Sequence, residues 1–96
     1  MVNSKIVFIL AREYDTVNKS YALISFRLTN IESICVVRDT LDKTYKIKVE
    51  FKKQVNYHKT AMLNRYDTLD EANEAVAGLM ANLDNQQDIS VYELGV

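Results

Sequence analysis

Residues 45–52 alternate without a break. Tyr45, Ile47, Val49 and Phe51 are apolar, and Lys46, Lys48, Glu50 and Lys52 between them are charged. A side-chain period of two marks a strand, and one dry face opposite one wet face belongs to an antiparallel sheet packed on a single side. The chain is thereby directed toward a layered sheet architecture.

The flanking segments extend the sheet. Ile6 to Ala11 is a short β-branched run, read as a strand covered on both faces. A polar turn over residues 15–20 leads to a second strand over Tyr21–Leu28, and an antiparallel hairpin is the simplest joining. Ile34 to Val37 forms a third strand, and residues 39–43 supply the turn into the alternating segment. Residues 53–59 fit either a continuation of that strand or a loop. Thr60–Tyr66 is a further strand, with Met62 and Tyr66 or else Ala61 and Leu63 toward the core. With no proline and only Gly78 and Gly95, tight turns must use Asn and Asp, and Asn18 and Asp42 are the expected positions.

A helix is expected over about 69–83. Thr68-Leu69-Asp70-Glu71 is a capping box, and Asp70, Glu71 and Glu74 suit the positive end of a helix. Leu69, Ala72, Val76, Leu79, Met80 and Leu83 follow the three-and-four spacing of a buried stripe. Gly78 inside that run costs about 1 kcal/mol relative to Ala. Ile89–Leu94 reads as a last strand. One helix covers one face of a sheet, so residues 1–96 are expected to form a single two-layer α+β domain. Its mainly antiparallel sheet has about five strands, in an order the sequence leaves open.

Sites of catalysis are hard to assemble from these residues. The single cysteine, Cys35, lies in an apolar run and is expected to be a small buried hydrophobe rather than a thiolate. The single histidine, His58, has no second ligand at metal spacing and no acid near it in sequence. Glycine-rich phosphate loops and a nucleophile elbow are absent. No catalytic residue, metal or cofactor is therefore expected, and the chain is read as acting by binding. The apolar run near the amino terminus is too short for a membrane span or signal core, so a cytoplasmic location is the expectation.

Charge is sorted along the chain. Residues 43–65 hold seven bases (Lys43, Lys46, Lys48, Lys52, Lys53, Lys59 and Arg65) against Glu50, whereas residues 66–96 hold seven acids and no base. The total of −1 conceals this asymmetry, which bears on partners rather than fold. Lys46, Lys48, Lys52, Lys53, Tyr57, His58 and Lys59 form the candidate binding face, because cations with interleaved aromatics are what a single-strand nucleic-acid reader presents. Against that reading stand Glu50 within the row and a pI near 5.8, and lysine is also the usual residue of a wet sheet face. The leading expectation is a protein partner or a homo-oligomer such as a dimer, with nucleic acid as the alternative. A third possibility is that the two charge blocks neutralise each other within one chain. Six tyrosines among nine aromatics suit either a sheet or an interface.

The last third opens with Tyr66-Asp67-Thr68-Leu69-Asp70-Glu71-Ala72 before a terminal strand. It resembles a segment common in small phage and bacterial proteins. That resemblance rests on a generic helix start and carries no residue roles across.

Overall fold

A computed structural model describes residues 8–15, 18–84 and 91–94. Its strands are β1 (Phe8–Asp15), β2 (Ser20–Arg27), β3 (Ile31–Asp39), β4 (Thr44–Val55), β5 (His58–Tyr66) and β6 (Val91–Glu93). Helix α1 spans Leu69–Asp84, and a short 3-10 turn at Leu28–Asn30 joins β2 to β3. Five strands form an antiparallel path in the order β2-β1-β5-β4-β3, and β6 lies parallel to β1. The expected two-layer α+β architecture is what the chain adopts. Ile6, Val7, Ile89 and Ser90, and the side chain of Leu83, lie outside the described residues.

The alternation of β4 sets the layers. Ile47, Val49 and Phe51 are buried against the helix side, together with Ile9, Ala11, Ile24, Phe26, Ala61, Leu63, Tyr66, Ala72, Leu79 and Leu94. Phe26 and Phe51 meet edge to face with ring centroids 5.0 Å apart. Burying a side chain of this size contributes about 1.5–3 kcal/mol, so this cluster supplies the main drive to fold. Strand β1 is buried most deeply on the helix side, at Ile9 and Ala11, while Phe8 and Leu10 on its other face are half-buried, so the cover expected on both faces is complete on one and partial on the other.

Helix α1 begins as its capping box requires. The Glu71 N–H donates to Thr68 Oγ1 at 3.2 Å, and the Thr68 N–H donates back to Glu71 Oε1 at 3.2 Å. Its buried stripe is narrower than the apolar spacing suggests. Ala72 and Leu79 are enclosed and Val76 half-buried, whereas Leu69 and Met80 are exposed.

Strand β5 combines both expected core sets. Ala61, Leu63 and Tyr66 are all buried while Met62 is half-buried on the other side. An extra residue makes this possible: the pairing shifts between Tyr45↔Tyr66 and Ile47↔Leu63, and Asn64 sits there at φ 61°. A bulge moves the strand by one step, so residues of unlike parity share a face. Asn tolerates the left-handed backbone better than most residues.

Asn64 also holds the sheet's central seam. Its Oδ1 accepts the backbone N–H of Arg12 at 3.1 Å, and its Nδ2 donates to Tyr66 Oη at 2.8 Å and to the carbonyl of Leu94 at 3.2 Å. Pairing of β1 with β5 is confined to Glu13↔Leu63, and beyond it β6 takes the place beside β1. One buried amide thus serves the junction where β5 leaves β1 and β6 joins it.

Candidate functional site

Lys46 belongs to the wet face by parity, but its side chain is fully enclosed, which removes it from the candidate binding face. Its Nζ lies 3.0 Å from Asp39 Oδ2, 2.8 Å from Asp42 Oδ2 and 3.0 Å from Thr44 Oγ1, with the Tyr14 ring centroid 4.9 Å away. Burying an ammonium is tolerated only when it is paired and hydrogen-bonded in this way. The two aspartates divide their oxygens. Asp39 Oδ1 accepts the Leu41 N–H and Asp42 Oδ1 accepts the Thr44 N–H and hydroxyl, so the same carboxylates shape the β3–β4 turn and neutralise Lys46. Burial pushes the Asp42 carboxyl up, but hydrogen bonds from Lys46 and Thr44 and the Lys46 charge outweigh it, leaving the group below its ordinary value. Arg65 closes the cluster, 3.8 Å from Asp42 and 5.5 Å from the centre of the Tyr14 ring.

Lys48 is half-buried in the row between Cys35 and Met62. Cys35 itself is exposed, contrary to the burial expected of it. Its apolar run lies in β3, where Ile34 and Val36 turn inward and Cys35 points the other way.

The remaining candidates gather at the end of the β4–β5 hairpin. Residues 53–59 are a strand continuation and a turn together. Val55 pairs with His58 across Asn56 and Tyr57, which take φ of 51° and 69°. Two successive positive φ values define a type I′ turn, whose usual second residue is glycine. Here that place is held by Tyr57, 93% exposed. Tight turns are expected at Asn18 and Asp42, and the left-handed residue falls one place later in each case, at Lys19 and Lys43.

Between Glu50↔Thr60 and Val55↔His58 the register slips, so that residues 51–54 stand opposite Lys59 alone. The Lys59 ammonium donates to the carbonyl of Lys52 at 3.3 Å. On the other side Asn30 acts as a substitute strand. Its Nδ2 donates to the Lys53 carbonyl at 3.0 Å, and its Oδ1 accepts the Lys53 N–H at 2.9 Å. Bulges of this kind re-aim side chains, and Lys52, Lys53 and Lys59 are all exposed around this one. No acid occurs between Phe51 and Tyr66.

The acidic helix start lies elsewhere. Eight residue steps along β5 separate His58 from Tyr66, or roughly 25 Å, which exceeds two Debye lengths in physiological salt. The helix with its capping acids begins just beyond Tyr66, at the opposite end of β5 from the basic hairpin.

An open cavity of about 620 Å³ lies where the end of the β1–β2 hairpin approaches β5. Glu13, Asp15 and Asp39 line it with Tyr14, Tyr21 and His58, and none of the three hairpin lysines does. Its carboxylates disfavour an anionic occupant. Among the described residues no group of three or more His, Cys, Asp or Glu side chains is arranged to hold a metal ion. None of the described helices is long and apolar enough to cross a membrane.

Comparison with known proteins gives no match, whether to a family model, a curated protein or a solved structure.

Proposed function

We propose that this chain is a non-enzymatic binding module that contacts nucleic acid, preferably single-stranded, through the end of its β4–β5 hairpin. The observation that carries this reading is Tyr57. A tyrosine in the left-handed region costs about 1–2 kcal/mol, and at 93% exposure its ring recovers almost nothing from burial. Backbone strain at an exposed aromatic residue leads to a functional hypothesis rather than a folding one. Tyr57 is flanked by Lys52, Lys53 and Lys59, all exposed and with no acid in the surrounding sequence. Lysines holding phosphates while an aromatic face stacks on a base is the general chemistry of single-strand binding. A two-stranded ribbon of this kind also fits the major groove of a duplex, so duplex DNA is the proper comparison ligand.

Fluorescence anisotropy with labelled oligonucleotides tests the proposal. Single strands should bind at low salt, and the triple variant K52E/K53E/K59E should lose that binding while keeping the wild-type fold. Equal binding by wild type and variant would exclude the hairpin as the contact element. An acidic polypeptide that binds the hairpin when nucleic acid does not would reassign it to a protein partner.

A further inference from the structure

The two edges of the sheet are built differently. Strand β3, at one edge, is guarded in the ways that natural edges usually are. It opens from a 3-10 turn, shifts register between Ile31 and Ser33, and carries Glu32, Arg38 and Asp39. Strand β2, at the other edge, runs into the same turn but has no register shift and far less charge. It pairs with β1 over eight residues without a shift, contains no proline, and its only charge is the terminal Arg27. Its edge lies open among the described residues. On its outer face Tyr21 and Leu23 are 59% and 70% exposed. A long, regular, nearly uncharged edge is a template for another strand.

We infer that β2 pairs antiparallel with β2 of a second copy, joining two sheets across a two-fold axis at Ile24. Core-facing Ile24 and Phe26 must stay on the core face, so residues of the same parity have to oppose each other. Two such registers use most of the strand. Centring on Leu23 brings Lys19, the turn residue just before β2, toward Arg27 of the second copy, an unfavourable approach of like charges, and leaves Arg27 without a strand residue opposite it. Centring on Ile24 instead sets Tyr21 opposite that Arg27 and Leu23 opposite Ser25, and it pairs every residue from Tyr21 to Arg27. The Tyr21–Arg27 contact occurs twice by symmetry. It is the same kind of contact that the chain already makes with Arg12 over Tyr21 at 5.3 Å and Arg27 over Phe8 at 5.7 Å. Such an interface is isologous and closes at two copies, so an open edge leads to a dimer and not to a fibre. A single pair of strands is a small interface and gives a weak, concentration-dependent dimer.

Sedimentation equilibrium at rising concentration, to about 100 µM, is the test for a dimer of that strength. The wild-type mass should rise from 11.1 kDa toward twice that value. Tyr21→Lys, which opposes Lys to Arg27, should remain monomeric, and the double variant Y21K/R27E should recover the dimer because the facing charges become opposite. Thermal melts and circular dichroism identify a variant that simply fails to fold, and in that case Leu23→Lys serves as a second disruption of the same edge. A wild type that stays monomeric overturns the inference, as does a dimer unaffected by both Tyr21→Lys and Leu23→Lys. Neither result bears on nucleic-acid binding by the hairpin.

Discussion

The Lys46 ammonium lies 2.8 Å from the Asp42 carboxylate, four residues earlier, inside a shell completed by Asp39, Thr44 and Tyr14. This contact fixes the β3–β4 turn to the sheet and to Tyr14 of β1. It also divides the basic block of the sequence into a structural part and an available part. Lys46 is committed inside the fold, while Lys52, Lys53 and Lys59 face water.

Removing Lys46 should therefore act on stability. Lys46→Met removes the ammonium between Asp39 and Asp42 while Arg65 stays 3.8 Å from Asp42, and loss of one partner of a buried pair costs about 3–5 kcal/mol. The lower end applies, because both carboxylates keep some water contact. Urea unfolding should show this loss, with K52M and K53M within about 0.5 kcal/mol of wild type.

Acid should remove the Asp42 contribution in a defined window. Its carboxyl is held below the ordinary value of 3.8, so the folded state binds its proton less readily than the unfolded chain does. The stability it adds is complete above the unfolded value and is lost as pH falls through the lowered folded value. The gap in urea midpoint between wild type and Asp42→Asn should be constant near neutrality and narrow below about pH 4. A gap unchanged down to pH 2.5 would show that the Asp42 charge makes no such contribution.

Asn64 should be the most sensitive polar position in the sheet. Asn64→Gly keeps the left-handed backbone but strips the side chain from Arg12, Tyr66 and Leu94. Loss of the acceptor for the part-buried Arg12 N–H and of the donor to the Leu94 carbonyl costs about 1–3 kcal/mol for each. Hydrogen exchange provides the specific readout, since the Arg12 amide should lose protection more than its neighbours in β1.

Tyr57 should show stability and binding moving in opposite directions. Tyr57→Gly gives the type I′ turn its preferred residue and should stabilise the fold by roughly 0.5–1 kcal/mol. Affinity for single strands should fall by about 1–3 kcal/mol, the value of one base–aromatic stack. A variant both more stable and equally tight would remove Tyr57 from the contact.

The parts of the molecule governed by short-range pattern could be read from the sequence. The alternation of β4, the capping box at Thr68 and Glu71 and the β1–β2 hairpin each depend on neighbours a few residues apart. What escaped reading depends on contacts that no periodicity encodes, whether a few residues away or far along the chain. Lys46 follows its alternation faithfully, and only the approach of Tyr14 and the folding back of Asp39 and Asp42 enclose it. Parity likewise fails between Leu63 and Tyr66, because the bulge at Asn64 is anchored by Arg12 and Leu94. The candidate binding residues Lys52, Lys53, Tyr57, His58 and Lys59 were legible as a group because they sit at one hairpin end. Their bulge and the Asn30 clasp across 23 residues were not.

The salt dependence of single-strand binding tests the central claim most directly. If Lys52, Lys53 and Lys59 each neutralise one phosphate, the logarithm of the association constant should fall against the logarithm of salt concentration with a slope of about −2, near −0.7 per contact. K52E/K53E/K59E should show no measurable binding at the lowest salt. A wild-type slope near zero, or no binding at low ionic strength, would contradict a nucleic-acid contact at this hairpin.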